Sequence, residues 1–219
     1  MDTLNLKPKS HKNQKWLFLI IAIIVAATTF AVIKLITTVS DESDDNTAPA
    51  VSTKENFKNS LPELEQKASG SSDSKDYSNY AAALRATGDL KKSKEMYERS
   101  YELAPTAATA ASLATVYRDL KETDQAIEYY KKSLEIDPTY MLAITQLSQV
   151  YEAKDEVNLA IELLKNAITA AGSDTTKQEN FSLQLANLYN RLGNTTEARS
   201  YYEKVIKLNP NNAAAKAAL

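Results

Sequence analysis

The sequence predicts an all-α protein, and three observations carry that expectation. Glycine and proline are scarce, 4 and 6 residues in 219, too few for the turns of a β-sandwich or the loops of a nucleotide-binding sheet. Alanine, leucine, glutamate and lysine, all strong helix formers, are abundant instead. From residue 74 onward the sequence also repeats itself with a period near 34, the mark of a repeat architecture.

Composition narrows function as well. There is no cysteine, so disulfides, zinc–cysteine sites and cysteine nucleophiles are excluded. The single histidine, His11, lies near the N-terminus, away from the repeats. The usual general base and metal ligand near neutral pH is therefore missing from the repeat region. A net charge of −2 gives no reason to expect nucleic acid as a partner.

The N-terminal third divides into three segments. Residues 1–15 carry Lys7, Lys9, Lys12 and Lys15 against Asp2 and read as a basic cytoplasmic tail. Trp16 to Ile33 then runs 18 residues without a charge; at about 1.5 Å per residue this spans roughly 27 Å, near the thickness of a bilayer core. Residues 16–39 are the expected transmembrane helix, with Trp16 at one interface and Lys34 snorkelling to the other. The apolar run exceeds a signal-peptide core, and Thr29-Phe30-Ala31 is a poor cleavage site, so an uncleaved signal-anchor is expected. Lysines precede the span, whereas Asp41, Glu42, Asp44 and Asp45 follow it. This bias predicts a single-pass protein with a cytoplasmic N-terminus and an extracytoplasmic repeat region.

Residues 40–73 read as a disordered acidic and serine-rich linker, too polar to offset the entropy of ordering. A short helix is expected within it over 54–68, where Phe57, Leu61, Leu64 and Ala68 share a face and Pro62 suits a first helical turn. The acidic run at 41–45 has no glycine and no spaced glutamate of a calcium loop, so it reads as solvated charge.

In the repeats, Leu113-Ala114-x-x-Tyr117 recurs as Leu147-Ser148-x-x-Tyr151 and Leu185-Ala186-x-x-Tyr189. Each tyrosine is followed at fixed distances by Ala126, Ala160 or Ala198 and then by Tyr130, Leu164 or Tyr202. Pro138 and Pro210 close two copies, and a weaker copy carries Tyr80, Leu84, Ser93, Tyr97 and Pro105. The alanines are small where two helices approach closely, and the tyrosines fill the space between helices. The prolines end second helices, because the residue before a proline leaves the α region.

This pattern resembles the tetratricopeptide repeat (TPR) family over about two thirds of the chain. The resemblance implies a TPR helical-hairpin solenoid over 74–212, with copies at 74–106, 107–140, 141–174 and 179–212. Residues 213–219 would add a C-terminal capping helix, and the four extra residues of the last period would form a loop at Gly172–Gln178. Ala110 and Ile144 stand where the family often has tryptophan, and Gly172 replaces the closing proline of the third copy.

The resemblance further implies a groove built from the first helix of each pair. The positions it assigns to that groove hold Lys75, Asn79 and Arg85, then Ser112, Thr115 and Arg118, then Thr145, Gln146, Gln149 and Glu152, and finally Gln184, Asn187 and Asn190. Their amides and hydroxyls can both donate to and accept from a peptide backbone. By the helical period, Leu113, Val116, Leu147, Val150, Leu185 and Leu188 face the core. TPR co-chaperones grip a terminal carboxylate with Lys and Asn; the matching places here hold Ser78, Ala82, Ser112, Leu142 and Gln146, with no cation, so a chaperone carboxylate clamp is not expected.

No phosphate-binding glycine loop, His-Glu-x-x-His or Gly-x-Ser-x-Gly occurs. Asp119, Glu122 and Asp124 cluster at an exposed turn, where no pocket would raise a pKa for catalysis. The expected protein is thus a non-catalytic scaffold without cofactor or metal. It would bind a peptide or protein partner at the membrane surface and resemble anchored TPR proteins of envelope assembly or export. The alternative is a permanent structural subunit of a membrane complex, using its convex face or its membrane helix.

Overall fold

The computed structural model describes residues 54–219 as an all-α solenoid of ten helices. The expected basic tail, membrane span and linker up to residue 53 lie outside the described residues. Among those described, no helix is long and apolar enough to cross a membrane.

Helix α1 is Lys54–Ala68. Four antiparallel pairs follow: α2 (Ser74–Thr87) with α3 (Leu90–Leu103), α4 (Ala107–Asp119) with α5 (Thr123–Ile136), α6 (Met141–Ala153) with α7 (Val157–Ala170), and α8 (Thr175–Arg191) with α9 (Thr195–Leu208). The six-residue α10, Ala213–Ala218, closes the array and buries Ala215 against α9.

Side chains start several of these helices. Asp73, Asp89, Thr106, Asp174 and Asn212 each accept a backbone N–H from the first turn, which satisfies one of the donors a helix leaves orphaned. Three of the four second helices stop before proline: Ala104, Asp137 and Asn209 are extended, ahead of Pro105, Pro138 and Pro210.

Within each pair the turn uses one left-handed residue. It is Gly88 in the first pair and Gly193 in the last, but Lys121 (φ 64°) and Asp155 (φ 61°) in the middle two. The hydrogen bonds are the same in all four. The next N–H reaches back to the carbonyl of Leu84, Tyr117, Tyr151 or Tyr189, closing a Schellman motif. Lys121 and Asp155 thus hold a conformation that costs a residue with a Cβ roughly 1 kcal/mol.

The main core runs from α2 to α10, and a second, smaller cluster of Ala68, Tyr80 and Leu84 lies between α1 and α2. Leu113, Val116, Leu147, Val150, Leu185 and Leu188 are all buried in the main core, with Tyr117, Tyr151 and Tyr189. Ala126 and Ala160 have no accessible surface, so a larger side chain at either crossing has no room. Buried serines fasten the helices of a pair: Ser100 Oγ donates to the Ser74 carbonyl at 2.8 Å and Ser133 Oγ to that of Ala107 at 2.7 Å.

Two local features differ from the sequence expectation. Pro62 does not open α1 but sits in its interior. The helix itself covers the expected 54–68, because Phe57 lies in register with Leu61, Leu64 and Ala68, and Leu61, Leu64 and Ala68 pack on Tyr80 and Leu84 of α2. The extra residues of the last period do not form a loop as far as Gln178. Thr175–Gln178 are the first turn of α8, started by Asp174, and only Ala171–Asp174 link the pairs.

Candidate functional site

The first helices α2, α4, α6 and α8 share one face of the array, the side that becomes concave as such pairs stack. Two polar recesses open on it.

The first recess is lined by Arg85 of α2, Ser112, Thr115 and Arg118 of α4, and Leu142 and Gln146 of α6, with Tyr97 of α3 beneath them. The two guanidiniums share one carboxylate. Arg85 Nε donates to Asp119 Oδ2 at 2.8 Å, and Arg118 Nη2 donates to Asp119 Oδ1 at 3.0 Å. Burial pushes the Tyr97 hydroxyl up from its ordinary pKa, while a hydrogen bond with Ser112 and the Arg85 charge oppose that shift. Gln146 carries a buried Oε1 with no hydrogen-bond partner.

The second recess is lined by Thr145, Ser148, Gln149 and Glu152 of α6 and Gln184, Asn187 and Arg191 of α8, over Leu164 of α7. Thr145 Oγ1 donates to Gln184 Oε1 at 3.2 Å, bridging the two helices. Arg191 pairs with Glu152, so this recess carries no net charge.

Of the residues the sequence assigns to a groove, Arg85, Ser112, Thr115, Arg118 and Gln146 line the first recess. Thr145, Gln149, Glu152, Gln184 and Asn187 line the second. Lys75, Asn79 and Asn190 line neither; they are exposed on α2 and α8. Thr115 is a structural residue: it is buried, its hydroxyl donates to the Ala111 carbonyl at 2.8 Å and lies 3.1 Å from Tyr130 Oη. Asn187 is committed too, since its Oδ1 accepts the Tyr202 hydroxyl at 2.8 Å.

Tyr97, Ser148, Leu164 and Arg191 were not visible from sequence as wall residues. Tyr97 and Leu164 belong to second helices and reach the recesses from below. Arg191 follows Asn190, which the repeat spacing selects, and it is Arg191 that reaches the wall.

The second-helix face is also recessed, and one of its clefts follows from the repeat pattern. Between α3 and α5 the rings of Tyr101, Tyr117 and Tyr129 pack together, with Tyr117 and Tyr129 stacked at 5.3 Å. One period later Leu134 and Leu163 replace the outer two rings beside Tyr151. A cleft of about 420 Å³ opens there, with Leu159 on its rim 43% exposed.

Comparison with known proteins agrees with this architecture. Tetratricopeptide repeat models match residues 77–139 and 181–212. The crystal structure of MamA superposes with a TM-score of 0.59 at 16% identity, covering 76% of this chain and 99% of that one. The TPR-like repeats of a putative kinesin light chain from Podosopora anserina give 0.58 at 18%, covering 73% and 90%. YrrB, described as a TPR protein with an unusual peptide-binding site, gives 0.52 at 17%, covering 74% and 87%. Identities this low establish the fold alone. The curated protein bimA of Emericella nidulans is 25% identical over 93 residues, 42% of this chain but only 11% of that protein. The chain therefore carries tetratricopeptide repeats, stacked as an all-α TPR solenoid.

Proposed function

We propose that this protein is a non-catalytic scaffold that binds an extended peptide or protein segment along its first-helix face. The observation that carries this reading is the pair of adjacent polar recesses on α2, α4, α6 and α8, rich in hydroxyls and amides. A peptide backbone needs both donors and acceptors, and Ser112, Gln146, Thr145, Gln149 and Gln184 supply both. The peptide-binding site described for YrrB, on a similar fold, supports the same use of the fold. No cofactor or metal enters this function.

The sequence adds a membrane context to the proposal. The uncharged run from Trp16 to Ile33 would anchor the chain, and the lysines before it would keep the N-terminus in the cytoplasm and the repeats outside. Confinement to the membrane surface would raise the effective concentration of the groove near membrane partners. Assistance to envelope assembly or protein export fits that placement.

A second reading rests on the Leu134–Leu159–Leu163 cleft. An apolar opening on the second-helix face suits a permanent subunit of a membrane complex. Co-purification separates the two. Gln149→Ala should lose partners from the full-length protein while Leu159→Asp keeps them; the reverse result would move the interface to the second-helix face.

A further inference from the structure

The two recesses differ in charge, and the difference specifies the ligand. We propose that the Arg85–Arg118 recess is a subsite for an internal acidic side chain, Asp or Glu, of the peptide in the groove. The proposal rests on the peptide-scaffold reading and names the chemistry of its ligand.

Two guanidiniums face one carboxylate, so the recess keeps an excess positive charge. Each guanidinium has five N–H donors, and Asp119 takes Nε of one and a single Nη of the other. The remaining donors suit a second carboxylate, for which arginine is well shaped. The volume is about 180 Å³, room for about six waters at ~30 Å³ each, which is the scale of one side chain and not of a folded domain. By contrast the Thr145–Arg191 recess is internally neutralised by Glu152 and offers no such excess.

Gln146 separates a peptide from a bare anion. Its Oε1 is an acceptor without a partner, and a buried polar atom left unpaired is costly. Sulfate has no proton to donate to it and inorganic phosphate only a P–OH, whereas a peptide supplies a backbone N–H next to the acidic side chain. A small turn of the terminal amide, whose torsion is soft, meets that donor. The chain would then continue across Thr145, Gln149 and Gln184, which pair with backbone and carry no charge. Commitment to an internal residue follows from this continuity, since the polar wall extends beyond the cationic recess.

The test uses a library of random twelve-residue peptides, acetylated and amidated at their ends, captured by the immobilised full-length protein. Captured pools should be enriched about tenfold in Asp or Glu over Asn or Gln at one position. Arg85→Gln with Arg118→Gln should abolish the enrichment, and added salt should erode it. Asp119→Asn frees both guanidiniums and should increase the enrichment several-fold, a gain that misfolding cannot imitate. Gln149→Ala should lower total capture but keep the acidic preference, which separates this subsite from the groove as a whole. A captured pool without acidic preference overturns the subsite and leaves the groove standing; no capture at all overturns both. Acid recognition only in a parallel library with free C-termini would assign the recess to a terminal carboxylate instead.

Discussion

The Tyr202 hydroxyl donates to Asn187 Oδ1 at 2.8 Å, tying the second helix of the last pair to a residue on the wall of the groove. The two residues lie 15 apart, on α8 and α9. Asn187 therefore does two things, one inside the pair and one at the surface. Asn187→Ala should cost about 1 kcal/mol, because it leaves the buried Tyr202 hydroxyl unpaired. Gln149 lies exposed on the same wall, and Gln149→Ala should change stability by no more than about 0.5 kcal/mol. Thermal unfolding of both full-length variants checks the contrast; equal effects would remove the structural role of Asn187.

The two left-handed turns without glycine give a stabilising prediction. Lys121 and Asp155 have exposed side chains at φ 64° and 61°, so glycine loses nothing there and removes the Cβ strain. Lys121→Gly and Asp155→Gly should each stabilise the fold by about 0.5–1 kcal/mol. Gly88→Ala, at φ 103°, should destabilise it by a similar amount or more. Denaturant midpoints report both directions, and destabilisation by Lys121→Gly would contradict the turn geometry.

Packing can be tested at the helix crossings and at the cleft. Ala126→Leu inserts volume where no surface is accessible and should cost on the order of 1–3 kcal/mol. Leu163→Tyr restores the ring that Tyr129 supplies one period earlier and should fill the cleft, gaining about 0.5–2 kcal/mol. A melting temperature unchanged by Ala126→Leu would mean the repeat register is wrong.

Alkaline pH should unfold the array in a specific way. Burial raises the hydroxyl pKa of Tyr97, Tyr117, Tyr130 and Tyr140, and for Tyr117 the hydrogen bond to Glu98 adds to the shift. These groups are protonated in the fold beyond the point, near pH ~10, where an unfolded tyrosine ionises. Their stabilisation is therefore full below pH ~10 and declines as pH rises through the folded values. Tyrosinate absorbance should show an early class of exposed rings and a late class rising together with loss of helix. A single transition near pH 10 with the helices intact would contradict the burial of these rings.

Much of the array was legible because the same contacts recur. Ala126, Ala160 and Ala198, and the tyrosines before them, report close helix crossings whatever surrounds them, and they lie buried where the spacing puts them. What escaped depended on non-periodic features. The helix over 54–68 was expected, but Pro62 was placed in its first turn and lies instead in its interior, within an apolar stripe that packs on α2. The insertion before α8 read as a loop, yet Asp174 caps it into a helical turn. On the groove, spacing found the wall but not its wiring. Asp119 was read as part of an acidic turn cluster, while its actual role is to hold Arg85 and Arg118. That pairing spans 34 residues in one case and a single residue in the other, and no local pattern announces it.

The central claim is that partners bind the first-helix face, and site-specific photo-crosslinking in intact cells tests it most directly. A photoreactive side chain at Gln149 in the full-length protein, and separately at Leu159, would be activated and its adducts identified by mass spectrometry. Binding of Gln149 energetics should amount to about 1 kcal/mol or more on alanine substitution, so adducts should form at Gln149 and be absent at Leu159. Adducts at Leu159 with none at Gln149 would contradict the scaffold account and establish the cleft between α5 and α7 as the interface.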